Sequence, residues 1–251
     1  MSGHSKWANI KFRKEIADKK KGKLFTKLAQ QITSAARENS EIKLRLAIDK
    51  ARQNNLPSDN IDRAIKRGKG QLEGTKFEEV VYEGFGPERV AILISAITDN
   101  KNRTTAEIRN VLDKNGGKLS GNGSVAWMFE PKGVIRIETD GASNNKEKIE
   151  LAAIDAGAED VETEEKAVLI YTKVEDLEKI KKTLEEKGWQ VASTDISQVP
   201  KNTVKITNPE SAKKILKLMD ALDKFEEINS VAANFDIPEE LIAQTEKGDE
   251  I

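Results

Sequence analysis

Hydrophobic positions change their period near residue 75. Before it, Leu24, Leu28, Ile32 and Ala35/Ala36 recur at helical spacing and predict a helix over about 24–38. Ile42, Leu46, Ala47 and Ala51 predict a second helix over about 41–53. Asn54-Asn55-Leu56-Pro57 reads as a turn, and Ser58 as the N-cap of a third helix. That helix carries the stripe Ile61, Ala64, Ile65 and stops at Gly68. Two helices joined by a short turn have a helix-turn-helix outline, and a three-helix bundle built for packing has the same spacing.

Lys69 to Thr75 is polar and Gly-rich, as linkers are, and strand patterns follow it. Val80–Glu83 and Arg89–Thr98 read as strands, Thr104–Lys114 as a helix and Ser124–Glu130 as a further strand. Next come a strand over Gly133–Thr139, a helix over Asn145–Asp155, strands at Asp160–Thr163 and Ala167–Thr172, a helix over Val174–Lys187 and a strand over Trp189–Ile196. This β-α-β-β-α-β order is ferredoxin-like and complete within 133–200. A strand at Thr203–Ile206, a helix at Glu210–Lys224 and a strand at Glu227–Asn234 close the chain pattern. Half a ferredoxin fold buries little core, so the flanking halves are expected to join, with the complete unit inserted between them. The expected architecture is α+β and multidomain. Residues 1–75 form a basic tail and three-helix domain, 76–132 with 201–251 a discontinuous ferredoxin-like domain, and 133–200 the inserted one.

Composition narrows the chemistry. The 251 residues include no cysteine and one histidine, His4, which removes thiol nucleophiles, Cys zinc sites and HExxH motifs. Gly84-Phe85-Gly86-Pro87 and Gly121-Asn122-Gly123 lack the third glycine of a dinucleotide loop, and no GxxxxGK[ST] occurs. The expectation is a non-enzyme without cofactor or bound metal. The alternative is a metal-binding or enzymatic protein using the acidic cluster Glu159, Asp160, Glu162, Glu164 and Glu165, although its spacing lacks EF-hand alternation. No apolar run reaches the roughly 18 residues of a membrane span, and no apolar leader opens the chain. A cytoplasmic location without membrane contact is therefore expected.

Charge changes the picture most. The net charge of −1 conceals an excess of 11 positive charges over residues 1–70, where 18 Lys and Arg face 7 Asp and Glu. The rest of the chain is acidic by 12. A local basic excess is the electrostatic footprint of nucleic-acid binding. The tail interleaves cations with rings: His4, Lys6, Trp7, Lys11, Phe12, Arg13 and Lys14, then Lys19, Lys20, Lys21 and Lys23. Cations neutralise phosphates and rings offer faces to unstacked bases. Trp7 and Phe12 also suit a role as anchors tying the tail to the helices. Lys27 extends the basic series onto the first helix, and Arg63, Lys66 and Arg67 place cations on the third.

Several segments together resemble the YebC family: the opening Ser2-Gly3-His4-Ser5-Lys6-Trp7-Ala8-Asn9-Ile10-Lys11, then Leu24-Phe25-Thr26-Lys27-Leu28, Leu46-Ala47-Ile48-Asp49-Lys50-Ala51, Asn55 to Gly68, Tyr82-Glu83-Gly84 and Thr98-Asp99-Asn100-Lys101-Asn102-Arg103-Thr104. The turn at Asn39-Ser40 is shorter than the Gly-rich insertion many members carry. The resemblance implies a cytoplasmic protein with a helical domain and two α+β domains, and brings no catalytic residues. Members are described as DNA-binding transcriptional regulators, or, like the mitochondrial translational activator of cytochrome oxidase, as factors acting through the ribosome. The expected partner is therefore nucleic acid, DNA or ribosomal RNA, and with the latter the ribosome. An aromatic, basic tail suits irregular RNA. Dimerisation heptads are missing, so a monomer is expected.

Overall fold

The computed structural model describes residues 21–72, 77–139, 143–164, 166–238 and 240–242. Residues 130–199 form one compact unit; the described residues up to 129 and from 200 onward form the other.

The larger unit begins with helices α1 (Lys21–Arg37), α2 (Glu41–Gln53) and α3 (Ser58–Gly68). Asn39 takes the left-handed conformation at φ 53°, and the Ser40 hydroxyl caps α2 by accepting from the Lys43 N–H. Ser58, expected to cap α3, instead lies inside it. Pro57 holds the N-cap position, where its ring fixes φ near −56° and its carbonyl accepts from the Asn60 and Ile61 N–H groups. Leu28 and Ile32 of α1 pack on Ala51, Leu56, Ile61 and Ala64. Gly68 permits the close crossing of α1 and α3, since a Cβ there would collide with the Thr33 carbonyl and Ala36.

The next elements of this unit are β1 (Glu78–Phe85), β2 (Ala91–Thr98), α4 (Lys101–Lys114) and β3 (Lys118–Ser120). Chain order continues with β4 (Phe129–Glu138), α5 (Ser143–Ala156), β5 (Asp160–Thr163), β6 (Ala167–Thr172), α6 (Leu177–Glu186) and β7 (Val191–Pro200) in the smaller unit. The larger unit resumes with β8 (Val204–Lys205), α7 (Pro209–Asp223), β9 (Ile228–Ala233) and β10 (Phe235–Asp236).

The first sheet runs β3-β1-β2-β9 with antiparallel neighbours. Ile92 and Ile94 of β2 pack with Ile108 and Leu112 of α4 and Leu218, Met219 and Leu222 of α7. Ala91, Leu93 and Ala232 face the other way and carry Val125 and Phe129. This is a ferredoxin-like sheet whose second β-hairpin strand, β1, precedes the plait. The strand expected over Ser124–Glu130 forms only at its last two residues, Phe129 and Glu130, which open β4. Residues 126–128 form a 3-10 turn, β3 takes the sheet edge, and β4 runs unbroken across what the sequence suggested were two strands. The physical reason is that Glu83 accepts the amides of this segment, which leaves them none to give a ladder. The strand expected at Thr203–Ile206 shrinks to β8, paired in parallel with β10 outside the main sheet.

The smaller unit has the strand order β5-β6-β4-β7, that of the ferredoxin-like plait. Ile135, Ile137 and Ile170 of its sheet are buried, as are Ile149 and Ala153 of α5 and Ile180 and Leu184 of α6.

Candidate nucleic-acid interface

Only part of the predicted basic site falls on described residues. His4, Lys6, Trp7, Lys11, Arg13, Lys14, Lys19 and Lys20 lie outside them, and Lys21 and Lys23 fall in the first turn of α1. Lys27 is half-buried on α1. Arg63, Lys66 and Arg67 are exposed on α3, at spacings of three and four that set them opposite buried Ile61 and Ala64. Arg63 donates to the Asn60 side chain at 2.8 Å and to the Asp59 carbonyl at 3.2 Å, which holds its guanidinium along the helix. Neither Lys66 nor Arg67 forms an ion pair with a described residue.

A groove of about 290 Å³ lies beside this face. Phe25, Ala29, Leu56 and Phe77 give it apolar walls, and Gln30, Asn60 and Arg67 contribute polar groups. Its volume is near the lower end of small-ligand sites.

The helical head is tied to the sheet by polar contacts. Gln31 of α1 donates to Asn229 of β9, and the Arg37 guanidinium donates to the Phe77 carbonyl. The Lys43 ammonium meets Glu38 at 2.7 Å and Glu79 at 3.8 Å, while Ser95 donates to Glu79 at 2.6 Å. Burial pushes the Glu79 carboxyl above its ordinary range, with the neighbouring Glu38 carboxylate adding to the effect. Arg103, in the segment Asp99 to Thr104, joins Asp99 at 2.7 Å and Glu227 at 2.8 Å. That charge locks the start of α4 to the turn before β9.

Glu165 of the acidic cluster lies outside the described residues, and the four others do not converge. Glu164 faces Arg136 at 3.5 Å, Glu159 faces Lys132 at 3.6 Å, and Glu162 accepts from the Tyr171 hydroxyl at 3.0 Å. Among the described residues no group of His, Cys, Asp and Glu is arranged to hold a metal ion. None of their helices is long and apolar enough to cross a membrane.

Sequence reasoning missed a second feature. Glu83 of β1 is 5% exposed and accepts from the backbone amides of Gly123, Val125 and Ala126 at 2.6, 2.6 and 2.8 Å. The loop thus gripped presents Trp127, 65% exposed. A charged residue inside an apolar strand was the available signal.

A helical domain with an exposed basic row, together with ferredoxin-like α+β units, defines a multidomain α+β protein. The chain belongs to the TACO1/YebC family: the family's N-terminal domain matches residues 5–71, and its second and third domains match residues 77–235. A "probable transcriptional regulatory protein" of Halothermothrix orenii is 50% identical over 249 residues, covering 97% of this chain and 98% of that one. One of Dictyoglomus thermophilum is 47% identical over 247 residues, covering 96% and 98%. The crystal structure of a conserved hypothetical protein from Aquifex aeolicus superposes with a TM-score of 0.80 at 43% identity, covering 88% of this chain and 92% of that one.

Proposed function

We propose that this protein is a non-enzymatic regulator of gene expression that binds nucleic acid through its basic N-terminal region. The observation that carries the reading is charge segregation, 18 basic against 7 acidic residues over the first 70 of a nearly neutral chain. The exposed row Arg63, Lys66 and Arg67 continues that basic character onto α3. The relatives' names as probable transcriptional regulatory proteins support a regulatory role.

Lys and Arg bind phosphates by releasing condensed counterions, a mechanism indifferent to sequence. Specificity then has to come from base contacts or from backbone shape. The tail's rings, Trp7 and Phe12, suit unstacked bases better than a duplex groove, which favours structured RNA and the ribosome over operator DNA. Co-sedimentation with ribosomes at physiological salt, run beside binding to random duplex DNA, tests this. Pelleting with ribosomes and weak, sequence-independent duplex binding are expected. Tight binding to a defined duplex without ribosome association would reverse the choice.

A further inference from the structure

The structure assigns a second contact, away from the basic tail: we propose that Trp127 is a stacking platform for an unpaired base of single-stranded RNA, with Lys201 beside it for the phosphate. This rests on the nucleic-acid reading above and extends it to a residue of the sheet domain.

Tryptophan normally buries most of its large surface, and an indole left 65% exposed forgoes that gain. The exposure is not that of a loose loop. Val125 and Phe129, on either side, are buried in the sheet core, and the buried Glu83 carboxylate takes three amides of the same loop. The indole Nε1–H donates to the Ser124 carbonyl at 3.2 Å, which fixes the ring and engages its single donor. What remains on offer is the aromatic surface, which suits stacking rather than hydrogen-bond readout.

The surroundings favour a nucleotide over a protein hot spot. The Lys201 ammonium donates to the Trp127 carbonyl at 3.1 Å, and Lys201 is itself exposed. An ammonium held on the backbone of the residue that presents the ring puts a cation for phosphate in the same loop as a stacking face. The loop's other exposed residues are Gly121, Asn122 and Gly123, not the apolar surround of a protein anchor. A Cβ built on Gly121 or Gly123 would meet nothing within 4 Å, so the space beside the loop is open to a backbone drawn close.

The test uses the full chain labelled with 5-fluorotryptophan and an unstructured oligouridylate as probe. The three tryptophans give three ¹⁹F resonances, and Trp127→Phe identifies the relevant one. The Trp127 resonance should shift on adding oligouridylate and stay unmoved with duplex DNA of equal length. By fluorescence anisotropy, Trp127→Leu should weaken oligouridylate binding by about 5- to 150-fold with an unchanged salt slope, and Trp127→Phe should largely restore it. Full-strength binding by Trp127→Leu, or a silent Trp127 resonance while the oligonucleotide binds, would overturn the proposal and leave the ring to a protein partner. The parent reading fails differently: oligouridylate would not bind the wild-type chain at all, or would bind unaffected by loss of the tail cations.

Discussion

Glu83 offers the sharpest test of how the scaffold is held. Glu83→Gln keeps the shape of the side chain and removes its charge. In the wild type one carboxylate oxygen serves Gly123, and the other serves Val125 and Ala126. An amide replaces one oxygen with an NH₂ group, which faces a backbone N–H and orphans it. An unsatisfied buried donor costs about 1–3 kcal/mol, and the bonds that remain lose their charge assistance. Together the loss is about 2–4 kcal/mol, or a fall in Tm of roughly 5–15 °C for a unit of this size. The effect carries a pH signature. Burial raises the Glu83 carboxyl, but the amides of Val125, Gly123, Ala126 and Ser124 outweigh it and hold the group below its ordinary range. A depressed carboxyl stabilises the fold fully above its unfolded value, about 4.3, and that stability is lost as pH falls through the folded value. The gap between wild type and Glu83→Gln should therefore be constant from pH 7 to about 5 and narrow below about 4. Calorimetry across pH, with hydrogen exchange at Val125 and Ala126, reads both effects. A Tm within about 1 °C of wild type at neutral pH, or unchanged protection at those amides, would show that Glu83 does not hold the loop.

Two further outcomes are expected. Glu88 and Arg89 sit consecutively at φ 56° and 58°, a conformation that costs non-glycine residues about 1 kcal/mol or more. Arg89→Gly should raise stability in urea denaturation by about 0.5–1 kcal/mol, whereas Glu88→Gly should gain less because it deletes the 2.6 Å bond from Ser211. We also expect residues 130–199, with their own sheet and buried core, to unfold cooperatively as an excised fragment; a broad, non-cooperative thermal transition would show that they need the rest of the chain.

The sequence exposed what repeats locally and concealed what depends on distance. Helices α1 to α3 and the smaller unit's strands were legible because their apolar spacing is regular and their ends carry Gly, Asn or Pro. The stretch Val125-Ala126-Trp127-Met128-Phe129 was misread because a continuous apolar run looks like a buried strand. Only the fold shows that Val125 and Phe129 pin a loop whose Trp127 faces outward. The site divides similarly. The spacing of Arg63, Lys66 and Arg67 declared a basic helix face. Glu83 meets Gly123 across 40 residues, and Lys201 meets Trp127 across 74, separations that no local pattern encodes.

The central claim, that the basic N-terminal region grips nucleic acid through phosphates, is tested most directly by the salt dependence of binding. Affinity for ribosomal RNA is measured across a salt series for the wild type and for a variant with Lys19, Lys20 and Lys21 all changed to Gln. Weaker binding and a log–log slope shallower by roughly 0.7–0.9 for each phosphate contact removed are expected. Unaltered affinity and slope in the triple variant would contradict it, and would move the contact surface to the α3 row of Arg63, Lys66 and Arg67.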